Sequence, residues 1–123
     1  IINAGINALT AITGLKNGRL PEYSGVRLIM ERAVNEAVEV AKAKNIALPF
    51  NDPLARTQEV CRDTADNIAS MLQDILNKKR TEVEYINGAI VEEGKRLSIP
   101  TPVNETLTSL VQTLQETYDI RLR

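Results

Sequence analysis

Apolar residues recur every three or four positions through much of this chain, which is the spacing of one face of a helix. The clearest run lies between Val26 and Ala41, where an apolar face persists for about four turns and charged side chains fill the opposite face. Asn45 follows at the position where a left-handed residue ends many helices. The pattern predicts a long amphipathic helix that stops near Asn45.

A second helix is predicted from the stretch NDPLA. Asn51 or Asp52 can cap it, and Pro53 suits its first turn. Four of its residues are expected to face the core: Val60, Cys61, Ala65 and Ile68. On this interpretation Cys61 is a small core residue.

Two capping-box spacings predict further helix starts. Ser70 is followed three residues later by Gln73, and Thr81 is followed by Glu84 in the same way. We expect a new helix or a sharp kink near Ser70, and a helix launched at Thr81 that ends before SIPTP. A last helix is expected over about residues 104–118. Because no alternating strand pattern competes, the predicted fold class is all-α.

One internal similarity appears at an offset of 53 residues, between VEVAKAKNIALPFND and VEEGKRLSIPTPVNE. A duplication would produce it. Two helices that each leave through an isoleucine and a proline into a new N-cap would also converge on it, and we favour that explanation.

Composition limits the classes of function. The 123 residues suit one domain, and 15 Lys plus Arg against 16 Asp plus Glu give a net charge of −1 without a basic block. Nucleic acid and anionic membranes are therefore not expected as partners. A single cysteine and no histidine argue against a disulfide and a Cys/His metal site, and favour a reducing, cytoplasmic setting. No membrane span or signal peptide is predicted, so we expect a soluble chain.

Several polar residues fit their local context badly. Asn3 and Asn7 raise the sharpest question, because asparagine is a poor helix former and these two would lie one turn apart, about 6 Å from each other, on a single helical stripe. Both could then donate to one carboxylate or hydroxyl group. The complete set is Asn3, Asn7, Thr10, Asn17, Ser70 and Glu82.

Each member of this set also has a plain structural explanation. Ser70 can cap a helix, Asn17 can form a turn in KNGRLPE, and Glu82 can compensate the dipole of a first turn. The chain has no glycine-rich phosphate loop, no nucleophile beside a base and no metal-ligand cluster in its sequence pattern. Local patterns alone therefore assign no chemistry.

Two longer stretches resemble the helical C-terminal domain of the ketopantoate reductase (2-dehydropantoate 2-reductase) family. They are NAGINALTAITGLKNGRL and SMLQDILNKKRTEVEYINGAIVEEGKRLSIPTPVNETL. The resemblance implies a compact multi-helix domain of the 6-phosphogluconate dehydrogenase C-terminal-like type. Residues 1–123 would be the substrate-binding half of an oxidoreductase. A Rossmann domain that binds NADPH would precede it, and the two would enclose the active site.

The resemblance also assigns residues. Asn3, Asn7, Asn17 and Ser70 match the family's polar contacts to substrate, and Glu82 matches its acid near the substrate and the nicotinamide ribose. The enzyme would reduce ketopantoate to pantoate, on the way to pantothenate and coenzyme A.

The family's general acid is a lysine one helical turn before the position of Asn3, so no catalytic residue is expected in this chain and the fragment alone should be inactive. Lys16 lies in the wrong segment to replace that lysine. Asp74 and Thr81 fit the family pattern, as a positioning or helix-supporting residue and a cap, and neither is expected to carry chemistry.

Two alternatives stay open at this point. The same scaffold could serve a reductase of another 2-oxo acid. A helical interaction or dimerisation module without catalysis would be favoured if the natural gene began near Ile1. The family domain can pair through helices into a homodimer, but association of an isolated fragment could be an artefact of its exposed apolar surface.

Overall fold

Helices build the part of the chain that the structure describes. The computed structural model describes residues 1–122 and places there six α-helices, three 3-10 turns and no strand. The α-helices are α1 (Asn7–Thr13), α2 (Ser24–Ala43), α3 (Pro53–Asp63), α4 (Ser70–Leu76), α5 (Asn87–Arg96) and α6 (Pro102–Glu116). The 3-10 turns are Asn3–Gly5, Asn17–Glu22 and Val83–Tyr85. The all-α prediction is confirmed.

The long amphipathic helix forms as predicted and is α2. Asn45 adopts a left-handed conformation with φ of 58° after its end. The Ile46 amide donates to the Ala41 carbonyl at 3.0 Å and the Asn45 amide donates to the Lys42 carbonyl at 3.0 Å, which together form a Schellman motif.

The end of α5 repeats this motif. Ser98 has φ of 60°, and the Ile99 amide donates to the Gly94 carbonyl at 2.7 Å. Asn45 and Ser98 occupy equivalent positions in the similarity at an offset of 53 residues. The two helix ends fit the explanation by shared helix termination that we favour, and a duplication would produce them as well.

The core lies around α1, which packs against both α4 and α6. Ala8, Leu9 and Ala11 of α1 are buried, and small side chains let the neighbouring helices approach closely. The largest fully buried apolar side chains come from the surrounding elements: Leu20, Met30, Val34, Met71, Val83 and Val111. No helix in residues 1–122 has the length and apolar character needed to cross a bilayer.

Helix α3 begins as predicted but ends earlier. The Asp52 carboxylate accepts a hydrogen bond from the Ala55 amide at 3.0 Å, and Cys61 is buried. The predicted inward positions of Ala65 and Ile68 are wrong, because the helix stops at Asp63 and both side chains are exposed. The prediction assumed that the helix continues to Ile68, and residues after Asp63 no longer follow the helical spacing.

The predicted capping box at Ser70 does not form. Ser70 is the first residue of α4, after Ala69, and its hydroxyl caps nothing. The Gln73 side chain donates instead to the Ile68 carbonyl at 2.8 Å. The helix start is therefore confirmed, but the reason given for it is wrong.

The predicted box at Thr81 is replaced by a tertiary contact. The Thr81 amide donates to Gln115 Oε1 at 2.9 Å, while Glu84 pairs with Arg80 at 3.2 Å. Thr81 Oγ1 accepts a hydrogen bond from the Val83 amide at 3.3 Å, but Glu82 occupies the N-cap position of the turn Val83–Tyr85, so Thr81 is not its N-cap.

The chain then breaks at Ile86, with φ of −107° and ψ of −84°, before α5 begins. The continuous helix predicted from Thr81 is therefore wrong. The last helix also begins earlier than expected, at Pro102, and ends at Glu116, which leaves Tyr118 outside it.

Candidate functional site

A non-helical residue, Ile6, separates Asn3 from Asn7 near the start of the chain. Asn3 begins the turn Asn3–Gly5, Ile6 leaves helical geometry at φ of −121°, and Asn7 is the first residue of α1. The Ile6 amide donates to the Asn3 carbonyl at 3.2 Å, an i to i−3 bond that tightens this turn. The predicted single helical stripe through Asn3 and Asn7 is therefore wrong.

The two side chains differ in exposure. Asn3 is exposed, whereas Asn7 is 9% exposed. Neither amide group forms a side-chain hydrogen bond with another of residues 1–122. Thr10, one turn after Asn7, is fully buried and donates its hydroxyl to the Asn7 carbonyl at 2.8 Å. Both asparagine amides thus keep their donors for another partner, while Thr10 does not.

Asn17 is held by the loop between α3 and α4. Its amide donates to the Asn67 carbonyl at 3.1 Å, and its side-chain Nδ2 donates to Thr64 Oγ1 at 3.0 Å. The residue is 8% exposed, and its Oδ1 is buried without a hydrogen-bond partner in the described part of the chain. A buried carbonyl oxygen left without a donor is uncommon, and it suits a ligand hydroxyl or ammonium group.

The same loop leads directly into Ser70. Met71 and Leu72, the next two residues, are buried where α4 packs against α1, and this packing fixes the start of α4. The Ser70 side chain is exposed. Its hydroxyl is not used by the helix, because α4 has no side-chain cap. Within residues 1–122 the Ser70 hydroxyl therefore has no hydrogen-bond partner, and it lies beside the α3–α4 loop.

Glu82 precedes the turn Val83–Tyr85, and its carbonyl accepts from the Tyr85 amide at 2.9 Å. Its side chain is exposed and makes no hydrogen bond or ion pair within residues 1–122. The nearby Arg80 pairs with Glu84 instead. The Glu82 carboxylate therefore remains an available acceptor.

Asn7, Asn17 and Ser70 lie on elements that pack together, since α1 contacts α4 and also the turn Asn17–Glu22. Asn3 immediately precedes this group. Glu82 lies on a different segment, which packs against α5 and α6. Within the described chain, no hydrogen bond joins any two of these five side chains.

The Asp74 carboxylate lies close enough to Tyr118 to affect its pKa. Burial and, second, the Asp74 carboxylate raise the pKa of Tyr118, whose hydroxyl donates to the Lys79 carbonyl at 2.6 Å. The Lys79 amide in turn donates to the Asp74 carbonyl at 2.8 Å. Asp74 therefore lies beside Tyr118, near the C-terminal end of the chain, and shares contacts with Lys79 there.

Sequence reasoning missed a polar cluster formed by the half-buried Glu36 and the buried Asn87 and Asn104. Both asparagines are fully buried, and Asn87 Nδ2 donates to Asn104 Oδ1 at 2.9 Å. The sequence did carry a local signal for Asn87, the pair Ile86-Asn87, which repeats the pair Ile6-Asn7. In the structure each isoleucine is non-helical and each asparagine begins an α-helix, α5 and α1 respectively.

Comparison with protein families decides the relationship. Residues 1–115 match the family model described as Ketopantoate reductase PanE/ApbA C terminal. The chain belongs to this family. A 2-dehydropantoate 2-reductase from Halobacterium salinarum is 40% identical over 115 residues, which are 94% of this chain and 38% of that protein. The chain therefore spans well under half the length of this relative.

Solved structures show the same fold. A PanE/ApbA family ketopantoate reductase from Ralstonia eutropha JMP134 aligns with a TM-score of 0.89 and 34% identity, covering 94% of this chain and 39% of that one. A D-mandelate dehydrogenase solved with NADH and anilino(oxo)acetate aligns with a TM-score of 0.87 and 31% identity, covering 98% of this chain and 39% of that one. The ketopantoate reductase C-terminal domain thus shares its fold with a dehydrogenase of another name.

Proposed function

We propose that the protein containing this chain reduces ketopantoate to pantoate with NADPH, and that residues 1–123 form its substrate-binding domain. The observation that carries this proposal is the family match over residues 1–115, with relatives named 2-dehydropantoate 2-reductase. The reaction would serve pantothenate and coenzyme A synthesis. A preceding Rossmann domain would hold most of the cofactor and would be this domain's partner in closing the active site.

The side chains described above suit a small 2-oxo acid. Asn3, Asn7 and Ser70 offer uncommitted donors to a carboxylate or keto oxygen, and the unpaired Oδ1 of Asn17 accepts from a substrate hydroxyl. Neutral donors orient a carboxylate without a formal countercharge. Such positioning contributes much of the rate when two reactants must be aligned.

Glu82 fits one part of the nucleotide. Its exposed and unpaired carboxylate accepts hydrogen bonds from ribose hydroxyls, whereas its charge would repel a phosphate. When bound, the reduced nicotinamide supplies the hydride. The residues of this chain would bind and orient the 2-oxo acid, and a lysine before Ile1 is expected to protonate the keto oxygen.

A second candidate is the reduction of another 2-oxo acid with NADH. The likeness to D-mandelate dehydrogenase solved with NADH and anilino(oxo)acetate favours it, because that protein shares the fold at 31% identity. The asparagine and serine donors described here would recognise the carboxylate of either substrate. Discrimination would come from whatever contacts the rest of the substrate.

The deciding experiment uses the protein translated from the complete reading frame. Oxidation of NADPH and of NADH is followed with ketopantoate and with a panel of aliphatic and aromatic 2-oxo acids. Preference for ketopantoate and NADPH supports the first proposal, whereas preference for an aromatic acid and NADH supports the second. Absence of turnover with every acid would refute both and favour a non-enzymatic helical module.

Variants of that protein test the residue assignments. Asn7→Ala or Ser70→Ala should lower kcat/KM for the 2-oxo acid by about 10- to 100-fold, the usual effect of removing a hydrogen bond to a charged group. The dissociation constant for the cofactor should stay nearly unchanged. Ser24→Ala is the matched control, because Ser24 is also an exposed first residue of an α-helix. Equal loss of cofactor affinity would contradict the assignment.

Pairing of two copies is a separate proposal about assembly. Leu28 and Ile29 lie on the exposed side of α2, at 47% and 38% exposure, and offer apolar surface for a homodimer. Light scattering of the complete protein tests this. Monomers at micromolar concentration would refute it.

A further inference from the structure

A buried chain of side-chain hydrogen bonds connects α2 to the turn that carries Asn3. We propose that Asn87 is a positioning residue for substrate binding, acting through the backbone of this turn. The inference rests on the proposed function, because it assigns Asn87 to the site through Asn3. Asn87 itself is fully buried and contacts the turn at a single carbonyl.

The contact to the turn has a defined direction. Asn87 Nδ2 donates to the Ala4 carbonyl at 3.1 Å and to Asn104 Oδ1 at 2.9 Å. A backbone carbonyl can only accept, so the Asn87 amide must present its nitrogen to Ala4. Because Ala4 follows Asn3 directly, this bond fixes the peptide beside the candidate substrate contact.

Asn104 holds Asn87 in place. Asn104 Nδ2 donates to the Ala33 carbonyl at 3.0 Å and to Glu36 Oε1 at 2.8 Å. Both partners are acceptors, which leaves Asn104 Oδ1 to face Asn87. The acceptors Ala33 and Glu36 therefore fix the orientation of the Asn104 side-chain amide, and Asn104 Oδ1 in turn fixes that of Asn87.

Glu36 anchors the far end. Its Oε2 accepts from the Val103 amide at 2.9 Å and its Oε1 accepts from the Asn104 amide at 2.9 Å. A carboxylate at these first-turn amides satisfies donors that lack partners within α6 and complements the helix dipole. The anchor thus joins α2 to the start of α6.

Packing at Gly5 also restrains the turn. A Cβ at Gly5 would lie 2.9 Å from Val34 Cγ2 and 3.0 Å from Thr57 Cγ2, so the backbone there touches α2 and α3 directly. The Asn87 bond holds the Ala4 carbonyl, and these methyl groups limit movement of the backbone at Gly5. Loss of the Asn87 bond would remove the side-chain hydrogen bond to the Ala4 carbonyl and leave this packing as the remaining restraint on the turn.

The test uses the complete protein and two variants. Asn87→Asp keeps the shape of the side chain but loses both N–H donors, and Asn87→Leu removes the polar group without burying a charge. Asn35→Asp is the matched control, because Asn35 is an exposed asparagine on α2. Val111→Ala, at a fully buried core position, controls for a general loss of stability.

Two measurements are combined. Hydrogen exchange should be about 10-fold faster at the Gly5 and Ile6 amides, which donate to the Ile2 and Asn3 carbonyls, in either Asn87 variant and unchanged in Asn35→Asp. Turnover should show a KM for the 2-oxo acid raised about 10-fold or more with unchanged cofactor affinity, since small displacements of a binding group have large effects.

The outcomes separate the two hypotheses. Faster exchange at Gly5 and Ile6 together with the change in KM supports the positioning role. Unchanged hydrogen exchange at these amides overturns the positioning role. It is also overturned if the Asn87 variants raise KM no more than Val111→Ala does when the loss of thermal stability is the same. If the wild-type protein reduces no 2-oxo acid, the proposed function fails, and exchange alone still decides whether Asn87 holds the turn.

Discussion

Substituting Gly18 by alanine should disrupt the contact that holds Asn17. The Gly18 amide donates to the Ala65 carbonyl at 3.1 Å, beside the bond from the Asn17 amide to the Asn67 carbonyl at 3.1 Å. A Cβ at Gly18 would lie 2.5 Å from Ala65 Cβ and 2.7 Å from Ala65 Cα. The obstacle includes backbone, so a rotation of a side chain cannot relieve it.

The magnitude follows from the distances. Carbon atoms rest about 3.5–4.0 Å apart, so the two segments must separate by about 1 Å. Separation by that amount stretches both backbone bonds beyond hydrogen-bond range, at about 1 kcal/mol each. Alanine restricts the unfolded chain, which offsets about 0.4–1 kcal/mol of this loss. The net loss in free energy of unfolding should be about 1–2 kcal/mol.

Gly25→Ala is the matched control, because Gly25 lies in α2 and a Cβ added there would meet no heavy atom within 4 Å. That substitution should raise stability by about 0.5–1 kcal/mol, the difference in helix propensity. Urea unfolding of the purified protein compares the two variants. Equal stabilities would refute the close approach of Gly18 to Ala65. In the active enzyme, Gly18→Ala should also raise KM for the 2-oxo acid, since Asn17 moves with its neighbour.

Two further predictions concern the core. Gly5→Ala should lower the free energy of unfolding by about 1–3 kcal/mol, because its Cβ would meet the methyl groups of Val34 and Thr57, and thermal unfolding beside Gly25→Ala measures it. Burial raises the pKa of the Cys61 thiol to about 11, so a thiol reagent at pH 8 should label it only on unfolding. The pKa of the Cys61 thiol is higher in the folded protein than in the unfolded chain. The contribution of the buried thiol to the free energy of unfolding is therefore full below the unfolded pKa, and it should be lost as the pH rises towards 11. Rapid labelling of the native protein would contradict burial.

The elements that sequence predicted well are those whose causes are local. The face of α2 and its end at Asn45 follow from periodicity and from the ease with which asparagine adopts positive φ. The cap of α3 at Asp52 is a contact between residues three apart. Such features depend on neighbours in the chain, which the sequence displays directly.

The errors arise where a distant residue supplies the decisive contact. Gln115 accepts the Thr81 amide that the predicted capping box had assigned to Glu84. The position of Asn17 likewise depends on residues of the α3–α4 loop, Thr64 and Asn67, about 50 positions later in the chain. Residue types predicted where helices begin. The hydrogen-bond partner of each polar side chain depends on tertiary packing, which the local sequence does not show.

The asparagines show why candidate site residues could be named from sequence but not sorted into ligand contacts and scaffold. Asn7 and Asn87 each follow an isoleucine at a backbone break and each begin an α-helix. Asn87 uses both N–H donors on buried acceptors from other elements, whereas the Asn7 side chain bonds to none of residues 1–122. Their local settings are alike, so the difference lies in the partners that the fold brings to Asn87. An asparagine whose donors the fold leaves unused is the better candidate for a donor to a ligand, whereas Asn87, whose two donors are both used, is proposed to act through the backbone that it holds.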